Sequence, residues 1–355
     1  MSTPFQEGTV FLRQLTKGPV AVVMDGDADG LSGGRIVTYT LEKRNIEPVA
    51  FFLKKGETAY SDTVVSRVKS IDPKAIILVD MGASSENPYI PIPVLVLDHH
   101  QPLGIPPNAT FVSSYKNPYP ETSAHIAYLA CRMLVSLKEV EWLALLGIYG
   151  DLGNADSFPV IQPLVKRYSK TQLRKAVTLI NAARRSQCCD VACAYQALVS
   201  SCSISDLVNH RNPHTQQLAR YRKEVQIALD EALTAKPVFH QSVALVTCHS
   251  LCQIHGIIAS RWARRLKGYA ILSINTGFIE KKAIFSLRSM DGRNLIALLH
   301  QHLGPYENLG GIVGYGHHSA TGGIIPIERL PDLLKCFSFH GHGRLLSDPE
   351  PRFQD

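Results

Sequence analysis

Four stretches of this chain run through apolar residues and stop at an aspartate. Val20 to Met24 meets Asp25, with Asp27 and Asp29 following. Ala75 to Val79 meets Asp80, Pro93 to Leu97 meets Asp98-His99-His100, and Leu145 to Gly150 meets Asp151. The first three are short and uninterrupted by polar residues, a pattern that suits strands buried on both faces of a parallel sheet. The fourth reads either as a strand or as a helix end. In parallel α/β sheets the carboxyl ends of the strands gather along one edge, where ligands bind. The pattern therefore demands an α/β domain with its acidic groups brought to one edge.

The rest of the first half agrees. Leu31 to Arg44 and Tyr60 to Ile71 read as helices, Pro48 to Leu53 as a strand, and helices follow around 122–137 and 139–149. Residues 160–235 read as mostly helical, with Thr171 to Arg185 and His214 to Ala235 apolar at helical spacing. Strand signal returns at Ser242 to Thr247, Tyr269 to Asn275 and Ala283 to Arg288. Helices are expected at Gly256 to Leu266 and Leu295 to His302, then a Gly-rich run at Leu309 to Gly323, then a final strand and helix. The expected fold class is α/β in two domains: a parallel-sheet domain over 1–205, a helical linker over 206–237, and a smaller α/β domain over 238–340. The tail from Phe337 is rich in His, Gly and Pro and reads as loose, with 341–355 set outside the second domain.

The 355 residues carry 37 Lys and Arg against 30 Asp and Glu, a net charge of +7 that suits a polyanionic ligand such as nucleic acid. Hydrophobic residues at 45% and charged residues at 19% exclude a disordered chain. No apolar run reaches the roughly 18 residues of a membrane-spanning helix. Met1 to Pro19 lacks a signal-peptide pattern, so a cytoplasmic location with no membrane partner is expected. The eight cysteines form no C-x-x-C pair and read as reduced thiols. Cys248, His249, Cys252 and His255 have zinc-like spacing but read as a strand end and helix start rather than a zinc site.

Carboxylates gathered at one edge repel one another unless a cation neutralises them. Alternate residues of an extended segment point the same way, so Asp25, Asp27 and Asp29 are expected to crowd one side. Hard oxygen ligands plus one imidazole suit Mn²⁺ or Mg²⁺. Two basic groups read equally as a nucleic-acid backbone track or as solvated faces: Arg261, Arg264, Arg265 and Lys267, and Lys166, Arg167, Lys170, Arg174 and Lys175.

These motifs, in this order, resemble those of the DHH phosphoesterase family. The matching stretches are Asp27-Ala28-Asp29-Gly30, Asp80, Asp98-His99-His100 and Asp151, with Asn117-Pro118 and Ser123-Ala124 between the last two. Gly314-Tyr315-Gly316-His317-His318-Ser319-Ala320-Thr321-Gly322-Gly323 resembles the G-G-H-x-x-A-x-G signature of the DHH-associated C-terminal domain. Gly256 to Arg261 and Ser286 to Ser289 resemble two further stretches of that domain. The likeness spans about 20–325, and the Asp-rich first motif resembles the RecJ branch. Val23 stands where other branches carry a histidine.

The resemblance implies two Mn²⁺ ions, with Mg²⁺ as the alternative. Asp27 and Asp80, helped by Asp25, would hold one. Asp29, Asp80, His99 and Asp151 would hold the other. Asp98 would orient an imidazole and His100 would face the scissile phosphate. Arg288, Gly316, His317, Ser260 and Arg261 would bind substrate from a C-terminal domain closing over the site, in a cleft between the domains. The activity implied is 5′-to-3′ hydrolysis of single-stranded DNA or RNA. The chain is shorter than bacterial RecJ, with no room for its additional oligonucleotide-binding domain, so short oligonucleotides or a cyclic dinucleotide are the alternative substrates. An inactive scaffold among replication or repair proteins is a further reading.

Overall fold

The computed structural model describes residues 4–117, 121–153, 155, 158, 161–303 and 312–339, the side chains of residues 4, 312 and 315–317 excepted. The chain divides into two compact units. Met1–Arg184 with Cys188–Arg222 make the first, and Arg185–Gln187 with Lys223–Asp355 the second.

The first unit begins with α1 (Pro4–Gln14), β1 (Pro19–Met24), α2 (Ala28–Lys43), β2 (Glu47–Phe52), α3 (Asp62–Lys69), β3 (Ala75–Val79), β4 (Val94–Asp98) and β5 (Ala109–Ser113). Helices α4 (Ser123–Cys131), α5 (Trp142–Asp151), α6 (Gln162–Val165), α7 (Lys170–Arg185), α8 (Val191–Val199), α9 (Ile204–Val208) and α10 (Pro213–Ala232) follow. The division between units falls inside α10. Leu218 and Tyr221 pack in the first unit's core, whereas Val225 and Leu229 pack in the second's.

The five strands run parallel in the order β2-β1-β3-β4-β5. β3 and β4 are buried at every position and β1 at all but its first, as their uninterrupted apolar runs predict. Alternate residues serve two cores. Val20, Val22, Met24, Ile77, Val79, Leu95 and Leu97 face α2, α4 and α5, while Ala21, Val23, Ile76, Leu78, Val94 and Val96 pack with Val64, Val65 and Val68 of α3. Each Val, Leu, Ile or Met among them contributes about 1.5–3 kcal/mol of burial. The edge strand β5 has no counterpart among the sequence expectations. Its Thr110 and Ser113 break the apolar run, and an edge position tolerates them because it is only half covered.

β1 has β2 on one side and β3 on the other, so the sheet changes its direction of growth there. The loops leaving β1 and β3 part and open a crevice at the strands' carboxyl ends. Asp25 and Asp80 begin those two loops. Asp25 N donates to Val79 O (3.2 Å), and Asp80 N donates to Leu97 O (3.0 Å).

The second unit holds β6 (Val238–His240), β7 (Val243–Cys248), α11 (His255–Arg265), β8 (Ala270–Asn275), β9 (Lys282–Arg288), α12 (Leu295–Leu303), β10 (Ile312–His317), β11 (Ala320–Pro326) and α13 (Leu330–Cys336). Its six-stranded sheet, in the order β10-β11-β9-β8-β7-β6, is antiparallel except between β7 and β8. The Gly-rich run is not a loop over its described length. Residues 312–323 form most of the β10–β11 hairpin, with a bulge between Val313 and Tyr315, because glycines mask strand periodicity without preventing pairing. Residues 309–311 of that run lie outside the described residues. Phe337 and Phe339, expected in a loose tail, are buried in this unit's core; the tail 341–355 lies outside the described residues. Among the described residues, no helix is long and apolar enough to cross a membrane.

Candidate metal centre

The turn after β1 sets the site. Asp27 is the N-cap of α2: its Oδ1 accepts from Asp29 N (2.9 Å) and Gly30 N (3.2 Å), satisfying two of the helix's unpaired amides. The chain is therefore already helical at Asp29, and the expected alternation fails there. Asp25 and Asp27 stay together, while Asp29 turns inward, fully buried. Asp29 Oδ2 accepts from Ser123 N (2.7 Å) and its Oδ1 from Ala124 N (3.0 Å). Thr122, the N-cap of α4, makes no side-chain cap bond, so Asp29 supplies one from a distant part of the chain, where a helix N-terminus favours an anion.

Asp80 leaves β3 at φ +63°, a left-handed backbone that aspartate tolerates better than most residues. His99 follows β4 and is 3% exposed. Its Nε2 lies 3.0 Å from Asp151 Oδ2, 3.4 Å from Asp80 Oδ1 and 3.9 Å from Asp29 Oδ2. Asp151 is the last residue of α5, so the fourth motif ends a helix and not a strand. His100 Nδ1 lies 2.9 Å from Oδ1 of the buried Asp98 and 3.7 Å from Asp80 Oδ1. The geometry thus groups Asp29, His99 and Asp151; Asp80, His99 and His100; and Asp25, Asp27 and Asp80, with donor atoms in each group within 4.8 Å of one another.

The electrostatics of these groups fit a cation. Burial, then the neighbouring Asp151 carboxylate, pushes Asp29 up to about 7. Burial, then Asp29, raises Asp80 well above the usual carboxylate range. Burial alone would lower His99, but Asp151, Asp80 and Asp29 outweigh it and hold the imidazolium up to about 12. Burial would likewise raise Asp98, but the bond from His100 outweighs it and keeps Asp98 low. Desolvated carboxylates packed this closely compete for protons, and a divalent cation does the same work of neutralisation. Three carboxylates with one imidazole form a donor set suited to Mn²⁺ or Mg²⁺.

Two neighbours of these residues, Asn181 and Arg184, escaped the sequence reading, and a third, Ser123, entered it only as part of a motif, without a role. Ser123 Oγ donates to Asp80 Oδ1 (2.8 Å). Asn181 Oδ1 accepts from Ala28 N (2.8 Å), tying α7 to the start of α2. Arg184 Nη1 donates to Asp25 Oδ2 (2.8 Å), and its Nη2 lies 3.6 Å from Asp27 Oδ2. Asn181 and Arg184 stand three residues apart on α7, one helical turn, but an Asn and an Arg in a helix carry no signal of a partner more than 150 residues away.

The expected substrate residues belong to the second unit. Arg288 ends β9, opposite Ala320, which is opposite His317 in turn, so backbone pairing sets these three in one row. The His317 side chain lies outside the described residues. Burial lowers the Arg288 guanidinium from its ordinary value. Gly316 pairs with Thr321 in the hairpin. Ser260 and Arg261 lie on α11, and Ser260 Oγ donates back to Gly256 O (2.9 Å).

No family model and no curated protein sequence matches this chain. Solved structures do. The exonuclease RecJ bound to manganese is 20% identical with a TM-score of 0.68, over 94% of this chain and 93% of that one. RecJ from Thermus thermophilus in complex with Mn²⁺ is 18% identical with a TM-score of 0.69, over 94% of this chain and 54% of that one, so the present chain spans about half its length. CDC45 from Entamoeba histolytica is 11% identical with a TM-score of 0.55, over 94% of this chain and 96% of that one. At these identities the likeness is one of fold. The chain has a two-part α/β architecture shared with these structures. Its fold is RecJ-like.

Proposed function

We propose that this protein is a metal-dependent phosphodiesterase that cleaves single-stranded nucleic acid, with a divalent ion held by Asp29, Asp80, His99 and Asp151. The observation that carries this reading is the convergence of those four side chains, from α2, the ends of β3 and β4, and the end of α5, at the carboxyl edge of the sheet. The donor set suits Mn²⁺ or Mg²⁺, and RecJ structures of this fold are described in complex with each. When bound, such an ion lowers the pKa of a coordinated water and draws charge from a phosphate oxygen.

The chain's own residues do the positioning. Ser123 holds the rotamer of Asp80 through its hydroxyl. Asp98 accepts from His100 Nδ1 and fixes the ring, so that His100 can donate to the scissile phosphate or the leaving oxygen. Arg288 and His317, with Gly316, Ser260 and Arg261 beside them, serve phosphate recognition in the second unit; Arg suits this because its planar fork grips phosphate bidentately. A 5′-to-3′ polarity is what the resemblance of the Asp-rich first motif to the RecJ branch implies.

Digestion of end-labelled substrates in Mn²⁺ tests the proposal. Long single strands, five-mers, dinucleotides and a cyclic dinucleotide are compared, with Asp80→Ala as control. Long single strands are expected to shorten from the 5′ end, and Asp80→Ala to lose at least about 100-fold in rate. Faster hydrolysis of dinucleotides than of long strands would replace the substrate. Equal hydrolysis by Asp80→Ala would remove the metal-centre reading, and none by the wild type would leave a scaffold.

A further inference from the structure

We infer that Arg184 takes the place of one ion of the expected pair, so that the chain neutralises Asp25 and Asp27 with its own guanidinium and binds a single divalent ion beside His99. The inference rests on the reading of Asp29, Asp80, His99 and Asp151 as the ligands of that ion.

Asp25, Asp27 and Asp80 form an acidic group that could hold an ion by donor spacing alone. Arg184 already occupies its outer side, at 2.8 Å from Asp25 and 3.6 Å from Asp27. The fold puts it there. Asn181, one turn earlier on α7, takes the Ala28 amide and pins the helix against the loop between β1 and α2. Gly26 lets the two backbones approach: a Cβ there would stand 2.8 Å from Val191 Cγ2 and 3.5 Å from Arg184 Cβ. The guanidinium is about three-quarters covered, at 28% side-chain exposure, and swinging it out would take from Asp25 and Asp27 the cation that contacts both.

The His99 group differs. Among the described residues, Asp29, Asp80 and Asp151 make their ion pairs with histidine and none with Arg or Lys. Arg184 touches Asp25 and Asp27 directly, whereas its charge reaches Asp80 and Asp151 only from further off. A divalent ion entering beside Asp25 and Asp27 would meet a fixed positive charge at close range, which weakens its binding by at least about 100-fold relative to the His99 group. Val23, fully buried and apolar on β1, adds no ligand to the Arg184 side. Charge on the Asp25 side is therefore constant and does not depend on metal supply.

Mn²⁺ stoichiometry by titration calorimetry, with electron paramagnetic resonance on the same samples, tests this. The wild type is expected to bind one Mn²⁺ per chain with the signal of an isolated ion. Arg184→Met is expected to bind two with an exchange-coupled signal, the second at least about 100-fold tighter than in the wild type. Arg184→Lys is expected to stay at one. Two coupled ions in the wild type, or one in Arg184→Met, would overturn the inference while leaving the metal centre intact. The wild-type count decides alone if Arg184→Met does not fold. No binding by the wild type, or binding unchanged by Asp151→Asn, would instead remove the metal centre, and the inference with it.

Discussion

Glu121 and His125 show how burial sets charge at single positions near the centre. His125 is 1% exposed, set edge-on to Phe158 and stacked on Tyr128. Burial, helped by Arg132, pulls it down to about 4 from 6.5. Burial pushes Glu121 up to about 7 from 4.5. Between about pH 4 and 7 the 4.0 Å approach of Glu121 Oε1 to His125 Nδ1 is therefore between two neutral groups and is not an ion pair. The linkage has opposite signs for the two. Between about pH 4 and 6.5 the unfolded chain protonates His125 and the folded chain does not, so His125 alone costs stability as pH falls. Between about pH 4.5 and 7 the folded chain keeps the Glu121 proton that the unfolded chain releases, so Glu121 alone costs stability as pH rises. The two slopes cancel over the shared window. His125→Leu removes one of them. Its stability relative to wild type, from urea unfolding, is expected to be about 2–3 kcal/mol more favourable at pH 4.5 than at pH 7. A difference independent of pH would contradict this assignment.

At the scale of elements, α2, α4 and α5 meet around Asp29, and their approach depends on α5 having no side chain at Gly147. A Cβ there would run into Asp29 Oδ1 and Ala124 Cβ. Alanine is ordinarily better than glycine inside a helix by about 1 kcal/mol. Here overpacking outweighs propensity. Gly147→Ala is expected to lower unfolding free energy by about 1–3 kcal/mol and, by displacing Asp29, to weaken Mn²⁺ binding roughly tenfold. Calorimetry and denaturant titration on one sample measure both. A stabilised variant with unchanged Mn²⁺ affinity would show that Asp29 has room to move. The strands were legible at this scale because burial on both faces leaves a plain apolar run. The edge strand β5 and the β10–β11 hairpin were not, since half-burial admits Thr and Ser and a Gly-rich run shows no period.

For the whole molecule, each unit has its own core and its own tryptophan: Trp142 packs in the first and Trp262 against the second's. A ligand that binds only the folded first unit stabilises it by about 2.7 kcal/mol at a hundred times its dissociation constant. Thermal unfolding followed by fluorescence is expected to show Mn²⁺ raising the Trp142 transition in Trp262→Phe, and leaving the Trp262 transition in Trp142→Phe nearly unmoved. Equal shifts in both variants would place the ion's effect on both units.

By itself, the sequence determined that a parallel sheet forms with acids at its carboxyl edge, because apolar runs and the aspartates closing them are neighbours along the chain. Only the tertiary structure decided how those acids divide. It turned Asp29 into the start of α4, put Asp151 at the end of a helix, and carried Arg184 across 159 residues to Asp25. Such pairings depend on how helices pack over the sheet, and no local periodicity encodes where a side chain will meet a partner from another part of the chain.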